Sequence, residues 1–405
     1  MQPYQDRHSV QLLQGGQAFF PALVKDVAAA RHEVWLETYI FNMDASGQLV
    51  AQALLDAAAR RVKVYVVMDG AGTPALPPDW ATRFDAAGVQ WRIFSPLGRI
   101  GWLIPNRWRR LHRKLCVIDG TVAYCGGINV LDDFFDPNHG VLEAPRFDFA
   151  VRVQGPLVRD AAQAMAQFWW RLQAARDARG RDFPSAWAAL QSAVRIAQAD
   201  NLSAQGALGD EGAASTRAAL VLRDNFRQRT RIERAYRKAI GEARSEIIIA
   251  NAYFLPGARL RRGLIHAAQR GVRVRLLLQG RYEYFMQYHA ARPVYGALLA
   301  AGVEIHEYAP SFLHAKVAVI DSRWATVGSS NLDPLSLLLA REANVVIDDA
   351  AFATDLRERL DLAMRMQGKR LDPQAYEHRP LRQRLLDRLA FGLMRLMLFL
   401  TGRRY

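Results

Sequence analysis

Residues 111–121 read LHRKLCVIDGT and residues 313–323 read LHAKVAVIDSR. Each carries His, then Lys two positions on, then Asp five further: His112, Lys114 and Asp119, then His314, Lys316 and Asp321. The features around the two stretches repeat in the same order, the mark of an internal duplication. FFPALVKDVAAARHEVWLETYIF in the first half reads as an amphipathic helix running into a strand, and RIERAYRKAIGEARSEIIIANAYF does the same in the second. QLVAQALLDAAARRVKVYVVMDG then matches RRGLIHAAQRGVRVRLLLQG, and AAGVQWRIFSP matches AAGVEIHEYAP. Such alternation predicts an α/β fold of two homologous α/β/α halves, residues 1–173 and 223–370. Residues 174–222 connect them, with a Gly/Ala/Ser-rich linker at about 200–216, and residues 371–405 form a basic amphipathic tail.

Strand parity sorts the repeated residues. LCVID and VAVID are apolar, β-branched runs, so each stretch is expected to be a strand with His and Lys on one face. The odd offset of Asp from His, and the turns Asp119-Gly120 and Asp321-Ser322, make each Asp a hairpin-fixing residue rather than a member of that face. Each return strand ends in a loop of small residues, Gly126, Gly127 and Asn129 in one copy and Gly328, Ser329 and Asn331 in the other. Small residues let a substrate approach the backbone, and Asn can donate to an oxyanion.

The composition is globular: 51% hydrophobic and 23% charged residues exclude a disordered chain or a fibre, and 405 residues suffice for two domains with their own cores. Two cysteines, Cys116 and Cys125, support neither a disulfide framework nor a zinc site, and read as buried thiols in a reducing compartment. The N-terminus lacks a basic segment followed by an apolar run, so no signal peptide is expected. No stretch reaches the roughly 18 apolar residues of a membrane span. The net charge of +15 points to anionic partners, either nucleic acid or anionic lipid.

The doubled H-x-K-x-x-x-x-D, each followed by G-G/S-x-N, resembles the signature of the phospholipase D superfamily. ETYIF (37–41), RDNFRQR (223–229), NAYFLP (251–256) and VGSSNLDPLSL (327–337) extend the likeness to its bacterial cardiolipin synthases, particularly the short type without N-terminal membrane spans. The resemblance implies two phospholipase D-type halves related by a pseudo-twofold, with one active site at their interface. It implies His112, Lys114, Asp119, His314, Lys316 and Asp321 as the catalytic signature, with His112 attacking phosphorus and His314 serving as acid and base, or the two roles exchanged, since the copies are nearly symmetric. Lys114 and Lys316, helped by Asn129 and Asn331 in the loops of Gly127 and Ser329, then hold the phosphoryl oxygens. No metal or cofactor is called for. A nucleophilic imidazole needs its other nitrogen oriented, usually by a carboxylate, and Asp148 and Glu342 open the next strands.

The substrate is read elsewhere. Trp102, Leu103, Ile104 and Trp108 lie among Arg99, Arg107, Arg109, Arg110 and Arg113, a mixture that suits a membrane interface and equally the stacking of single-stranded nucleic acid. The run Leu389–Leu400, interrupted by Arg395 and followed by Arg403 and Arg404, is too short to span a bilayer and long enough to lie in its surface. The expected activity is therefore phosphatidyl transfer from one phospholipid to phosphatidylglycerol, releasing glycerol or another headgroup alcohol, at the cytoplasmic side of a bacterial membrane. Phosphatidylethanolamine stays open as the other lipid. The alternative is hydrolysis by the same two-His site, as a phospholipase D or a nuclease.

Overall fold

The computed structural model describes residues 4–98, 108–198, 216–224, 228–281, 285–333 and 340–400. The first half runs β1 (Gln5–Gln14), α1 (Gly15–Ala29), β2 (Glu33–Thr38), α2 (Ala45–Ala59), β3 (Lys63–Asp69), α3 (Pro78–Ala87) and β4 (Gln90–Phe94). The signature region follows as β5 (Arg110–Leu111), β6 (Leu115–Ile118) and β7 (Val122–Gly126). A small pair, β8 (Phe135–Asp136) and β9 (Gly140–Val141), leads to β10 (Phe149–Gln154), α4 (Leu157–Arg179) and α5 (Phe183–Gln198). The second half repeats the order: β11 (Thr216–Arg223), α6 (Arg231–Glu242), β12 (Glu246–Asn251), α7 (Ala258–Gln269), β13 (Arg273–Gln279), α8 (Phe285–Ala300) and β14 (Glu304–Tyr308). Then come β15 (Lys316–Ile320), β16 (Trp324–Gly328), β17 (Ala340–Asp348) and α9 (Ala350–Gln367). The chain closes with β18 (Gly368–Arg370), α10 (Pro373–Glu377) and α11 (Leu381–Leu400).

The strands form one continuous sheet in the order β18-β14-β13-β12-β15-β16-β17-β11-β1-β10-β7-β6-β2-β3-β4. Read outward from the antiparallel pair β1 and β11, the two sides carry equivalent strands in equivalent order. The pseudo-twofold therefore passes between β1 and β11. Helices pack on both faces because the strands are apolar on both, as in Ile247–Ile249.

The expectation that each half has its own core holds only in part. One apolar cluster belongs to the first half (Leu23, Val34, Leu54) and one to the second (Ile249, Leu276, Leu298), but a third is shared. It joins Val117, Val151 and Phe168 to Val317, Val345 and Leu356. The halves are thus one folding unit, since separating them would expose that layer to water. The boundaries shift for the same reason. Residue 173 falls inside α4, whose Phe168 and Trp169 pack into the shared layer, and β11 begins at Thr216 as the counterpart of β1. The linker expected at 200–216 lies outside the described residues except at Thr216, as do Arg99, Trp102, Leu103, Ile104, Arg107, Arg403 and Arg404.

The tail is a helix docked on the body. Helix α11 lies against α8 with Asp387, Ala390 and Met394 buried, and Asp387 accepts hydrogen bonds from His289 (2.7 Å) and Arg379 (3.0 Å). Its other face leaves Leu381, Leu385, Leu389, Leu393 and Leu396 exposed in a row of helical spacing. Among the described residues no helix is long and apolar enough to cross a membrane.

Candidate active site

The strands expected to carry His and Lys begin later than their sequence suggests. β6 starts at Leu115 and β15 at Lys316, so both histidines precede their strands. The reason is a change of partner. Before β6 the chain pairs with the other half: Ala340 and Arg341 lie in register with Arg110 and Leu111, and the His112 N–H donates to the Arg341 carbonyl (3.0 Å). The second copy does the same, with Leu313 bridged to Phe147 and the His314 N–H donating to the Phe147 carbonyl (2.9 Å). Each histidine is thereby delivered next to the first residues of the opposite half's long strand.

Those residues are the two carboxylates. His112 Nδ1 lies 3.0 Å and 3.1 Å from the two oxygens of Glu342, and His314 Nδ1 lies 2.6 Å from Asp148 Oδ2. Both carboxylates are buried, and each is held in turn. Asp148 Oδ1 accepts from the Phe149 N–H (2.8 Å), and Glu342 Oε2 accepts from Ser329 Oγ (2.5 Å). The small-residue loops now differ for a physical reason. A Cβ at Gly127 would lie 2.2 Å from Asp148 Oδ1, so the first copy has room only for glycine. The second copy places there the serine that holds the longer Glu342.

The lysines are buried, and each donates to the carbonyl of its own histidine, Lys114 at 2.8 Å from the His112 oxygen and Lys316 likewise to that of His314. Asn129 Oδ1 accepts from the Ile40 N–H (3.1 Å), which leaves its NH2 end to donate. His112 and His314 line one cavity of about 580 Å³ together with Asn129, Asn331, Tyr39 and Tyr253.

Asp119 and Asp321, part of the signature, do not line this cavity. Asp119 sits at the turn with φ +49° and accepts from the N–H groups of Arg31, His32 and Glu33, each at 2.8 Å. Asp321 does the same with φ +52° for Arg244, Ser245 and Glu246, at 2.8–2.9 Å. Each ties the hairpin to the start of the neighbouring strand, β2 or β12. The arginines expected near an interface also divide. Arg113 is buried in an ion pair with Glu37 (2.7 Å), and Arg110 pairs with buried Asp69 (2.9 Å).

Asp69 is a residue that reading the motif alone misses. Its Oδ2 accepts from the Leu111 N–H (2.6 Å), and Gln279, at the equivalent end of β13, accepts from the Leu313 N–H (3.2 Å). Each fixes the backbone just before its histidine. The signal was present in the paired strand ends VVMDG and LLLQG.

Burial dominates the electrostatics. It lowers the His112 pKa below 6.5, with the Lys114 charge adding to it against Glu342. His314 is held well below 6.5 by burial and by the charges of Lys316 and Lys114. Burial pushes Asp148 up to about 7 and Lys114 down to about 7, the latter with the charge of Lys316 contributing. Each half's lysine thus acts on both imidazoles, so the cavity is one electrostatic site. Among the described residues no group of three or more His, Cys, Asp or Glu is placed to hold a metal ion.

Residues 23–143 and 236–363 both match the family model described as cardiolipin synthase, PLD-like domain. The chain belongs to this family. It is 38% identical to cardiolipin synthase B of Escherichia coli K12 over 369 residues, covering 88% of this chain and 81% of that protein. It is 31% identical to cardiolipin synthase A of Pseudomonas aeruginosa LESB58, covering 87% of this chain and 66% of that one. Its fold is that of phosphatidylserine synthase from Haemophilus influenzae Rd KW20, with a TM-score of 0.66, 12% identity, and 98% and 95% of the two chains covered. Both matched segments contain one His-x-Lys, so family membership rests on the same duplication as the site.

Proposed function

We propose that the chain is a phosphatidyltransferase of phospholipid biosynthesis that makes cardiolipin. It moves a phosphatidyl group from one phospholipid to the free hydroxyl of phosphatidylglycerol and releases glycerol or another headgroup alcohol. The observation that carries this reading is the pair of imidazoles in one cavity, each oriented through Nδ1 by a carboxylate of the opposite half. With Nδ1 committed, each Nε2 is the reactive atom.

In the first step neutral His112 forms a bond from Nε2 to phosphorus while the bond from phosphorus to the headgroup oxygen breaks. His314, protonated, gives its proton to that oxygen. In the second step neutral His314 takes the proton of the incoming hydroxyl, whose oxygen displaces His112. The assignment of roles is supported by the dyads: with Asp148 near 7, the Asp148–His314 pair holds an exchangeable proton at neutral pH, which an anionic phosphate draws onto the imidazole. Lys114, Lys316 and the two asparagines take the charge that builds on the phosphoryl oxygens.

The protein works as a membrane-associated enzyme. The exposed leucine row of α11, interleaved with Arg382, Arg384, Arg388 and Arg395, suits shallow insertion among anionic headgroups while the opposite face stays docked on α8. The test is incubation of the purified chain with phosphatidylglycerol vesicles and resolution of the products by mass spectrometry. Cardiolipin with free glycerol is expected. Phosphatidic acid alone would establish hydrolysis instead, and cleavage of single-stranded DNA without lipid turnover would overturn the lipid reading.

A further inference from the structure

The two halves differ at the outer edges of the sheet. In the second half β14 is covered by β18, paired antiparallel from His306 to Tyr308. In the first half the equivalent strand β4 ends the sheet among the described residues. Beside it lies a groove of about 900 Å³, walled by β4 and the C-terminal half of α4. Four arginines line it (Arg92, Arg109, Arg176 and Arg179), against one carboxylate, Asp85, which already accepts from the Trp91 indole (2.8 Å). Arg92 is fixed by stacking on Trp169 and donating to its carbonyl (3.0 Å), and Arg176 and Arg179 are exposed. Burial, with the charge of Arg176 adding to it and that of Asp177 opposing it, lowers Arg92 to about 10. Four arginines to one carboxylate in the lining leave a positive excess that suits an anion.

The groove also sits next to the catalytic cavity. Ser95 lines the groove, and its carbonyl and hydroxyl accept from Arg110 (3.0 and 3.1 Å), which lines the cavity. A second feature starts where the arginines end. Helix α5 turns Ala189 and Ala193 inward and the larger Phe183, Trp187, Leu190 and Val194 outward. Phe183 is 66% and Trp187 63% exposed, with Leu190 and Val194 continuing the row. This inverts the usual pattern of a surface helix, and such a row beside cations fits a bilayer: rings at headgroup depth, cations on phosphate.

We propose that the arginine-lined groove at the β4 edge and the outer face of α5 form a second binding site, which takes the phosphate of an anionic phospholipid still seated in the bilayer. The site lies outside the catalytic cavity and supplies the second of the two lipids that transfer requires, and in that respect it rests on the function proposed above. Arg176 and Arg179 are surface residues, so their replacement leaves the fold intact.

The experiment compares the full chain, R176E/R179E and R234E/R237E by co-sedimentation with phosphatidylglycerol and with phosphatidylcholine vesicles. The last variant changes net charge equally, at exposed residues of α6. R176E/R179E is expected to weaken binding to phosphatidylglycerol vesicles about tenfold or more, and R234E/R237E about twofold or less. Trp187→Ser should weaken binding as well. Equal loss in both double variants would reduce the effect to bulk charge and overturn the proposal, as would no loss in R176E/R179E. A third arm adds about 10 mM inorganic phosphate at constant ionic strength. If phosphate abolishes the difference between wild type and R176E/R179E, the groove is a free-phosphate site and the lipid assignment falls. Binding is read apart from turnover, so a wild-type chain that makes no cardiolipin would refute the proposed reaction without touching this result.

Discussion

Asp148→Asn isolates the dyad on the acid side of the proposed reaction. Asp148 Oδ2 stands 2.6 Å from His314 Nδ1, and Oδ1 accepts from the Phe149 N–H at 2.8 Å. An asparagine keeps the second bond only by leaving its oxygen there, which turns its NH2 toward the imidazole. His314 Nδ1 must then accept, so the neutral ring carries its proton on Nε2, and the imidazolium loses its counter-charge. The ring can no longer act as a base at Nε2, and the donated proton comes from a much weaker acid. A change of tautomer of this kind in a histidine–carboxylate pair lowers turnover by about 10²–10⁴-fold. Stability moves the other way. A carboxyl raised from 3.8 to about 7 on folding contributes stability that is full below about pH 4 and is lost as pH rises through 7. At pH 8 the wild type thus bears an ionised, buried carboxylate that the variant lacks. The assay is cardiolipin formation from phosphatidylglycerol vesicles, with thermal melts at pH 5 and pH 8. Turnover within about threefold of wild type would refute the argument, and a Tm at pH 8 well below wild type would show that Asp148 is mainly structural.

Four further outcomes follow from the same geometry. Gly127→Ser, which drives a Cβ into the Asp148 carboxylate, should lower turnover about 10²-fold or more, whereas Ser329→Gly, which only frees Glu342, should cost about tenfold, both measured as initial rates. Asp119→Ala removes the acceptor of three backbone N–H groups outside the cavity, so urea unfolding should show a loss of about 2–3 kcal/mol while the apparent KM for lipid is unchanged. Initial headgroup release should follow a bell in pH. Its acid limb lies below 6.5, because neutral His112 is required and its pKa is lowered, and its alkaline limb lies near 7, as Asp148–His314 loses its proton. Asp387→Ala strips the buried partner of His289 and Arg379, and limited proteolysis should cut before α11 sooner than in wild type.

The duplication made the fold legible. Because the order of helix and strand repeats around each His-x-Lys, the two-half α/β architecture and the paired carboxylates Asp148 and Glu342 could be named from sequence. Parity placed Asp119 and Asp321 at the hairpin turns, where both have left-handed φ, since turn position is a local property. What parity could not give was the start of β6 and β15. Local propensity makes LHRKLCVI look like one strand, but Arg110–Leu111 pair with the opposite half, a long-range contact that propensity does not encode. The shared core escaped notice for the same reason: Phe168 and Leu356 are apolar residues of ordinary helices, and nothing local marks them as meeting in one layer. In α5 the larger apolar residues Phe183, Trp187, Leu190 and Val194 are the exposed ones, while Ala189 and Ala193 are buried.

The stereochemical course at phosphorus tests the central claim most directly. A lipid made chiral at its phosphate with oxygen isotopes or sulfur is converted by the enzyme, and the configuration of the product phosphate is read by ³¹P NMR. Two displacements, onto His112 and then onto the second lipid, predict net retention. Inversion would mean that the incoming hydroxyl attacks phosphorus in a single step, and that the facing histidines do not share the reaction as described.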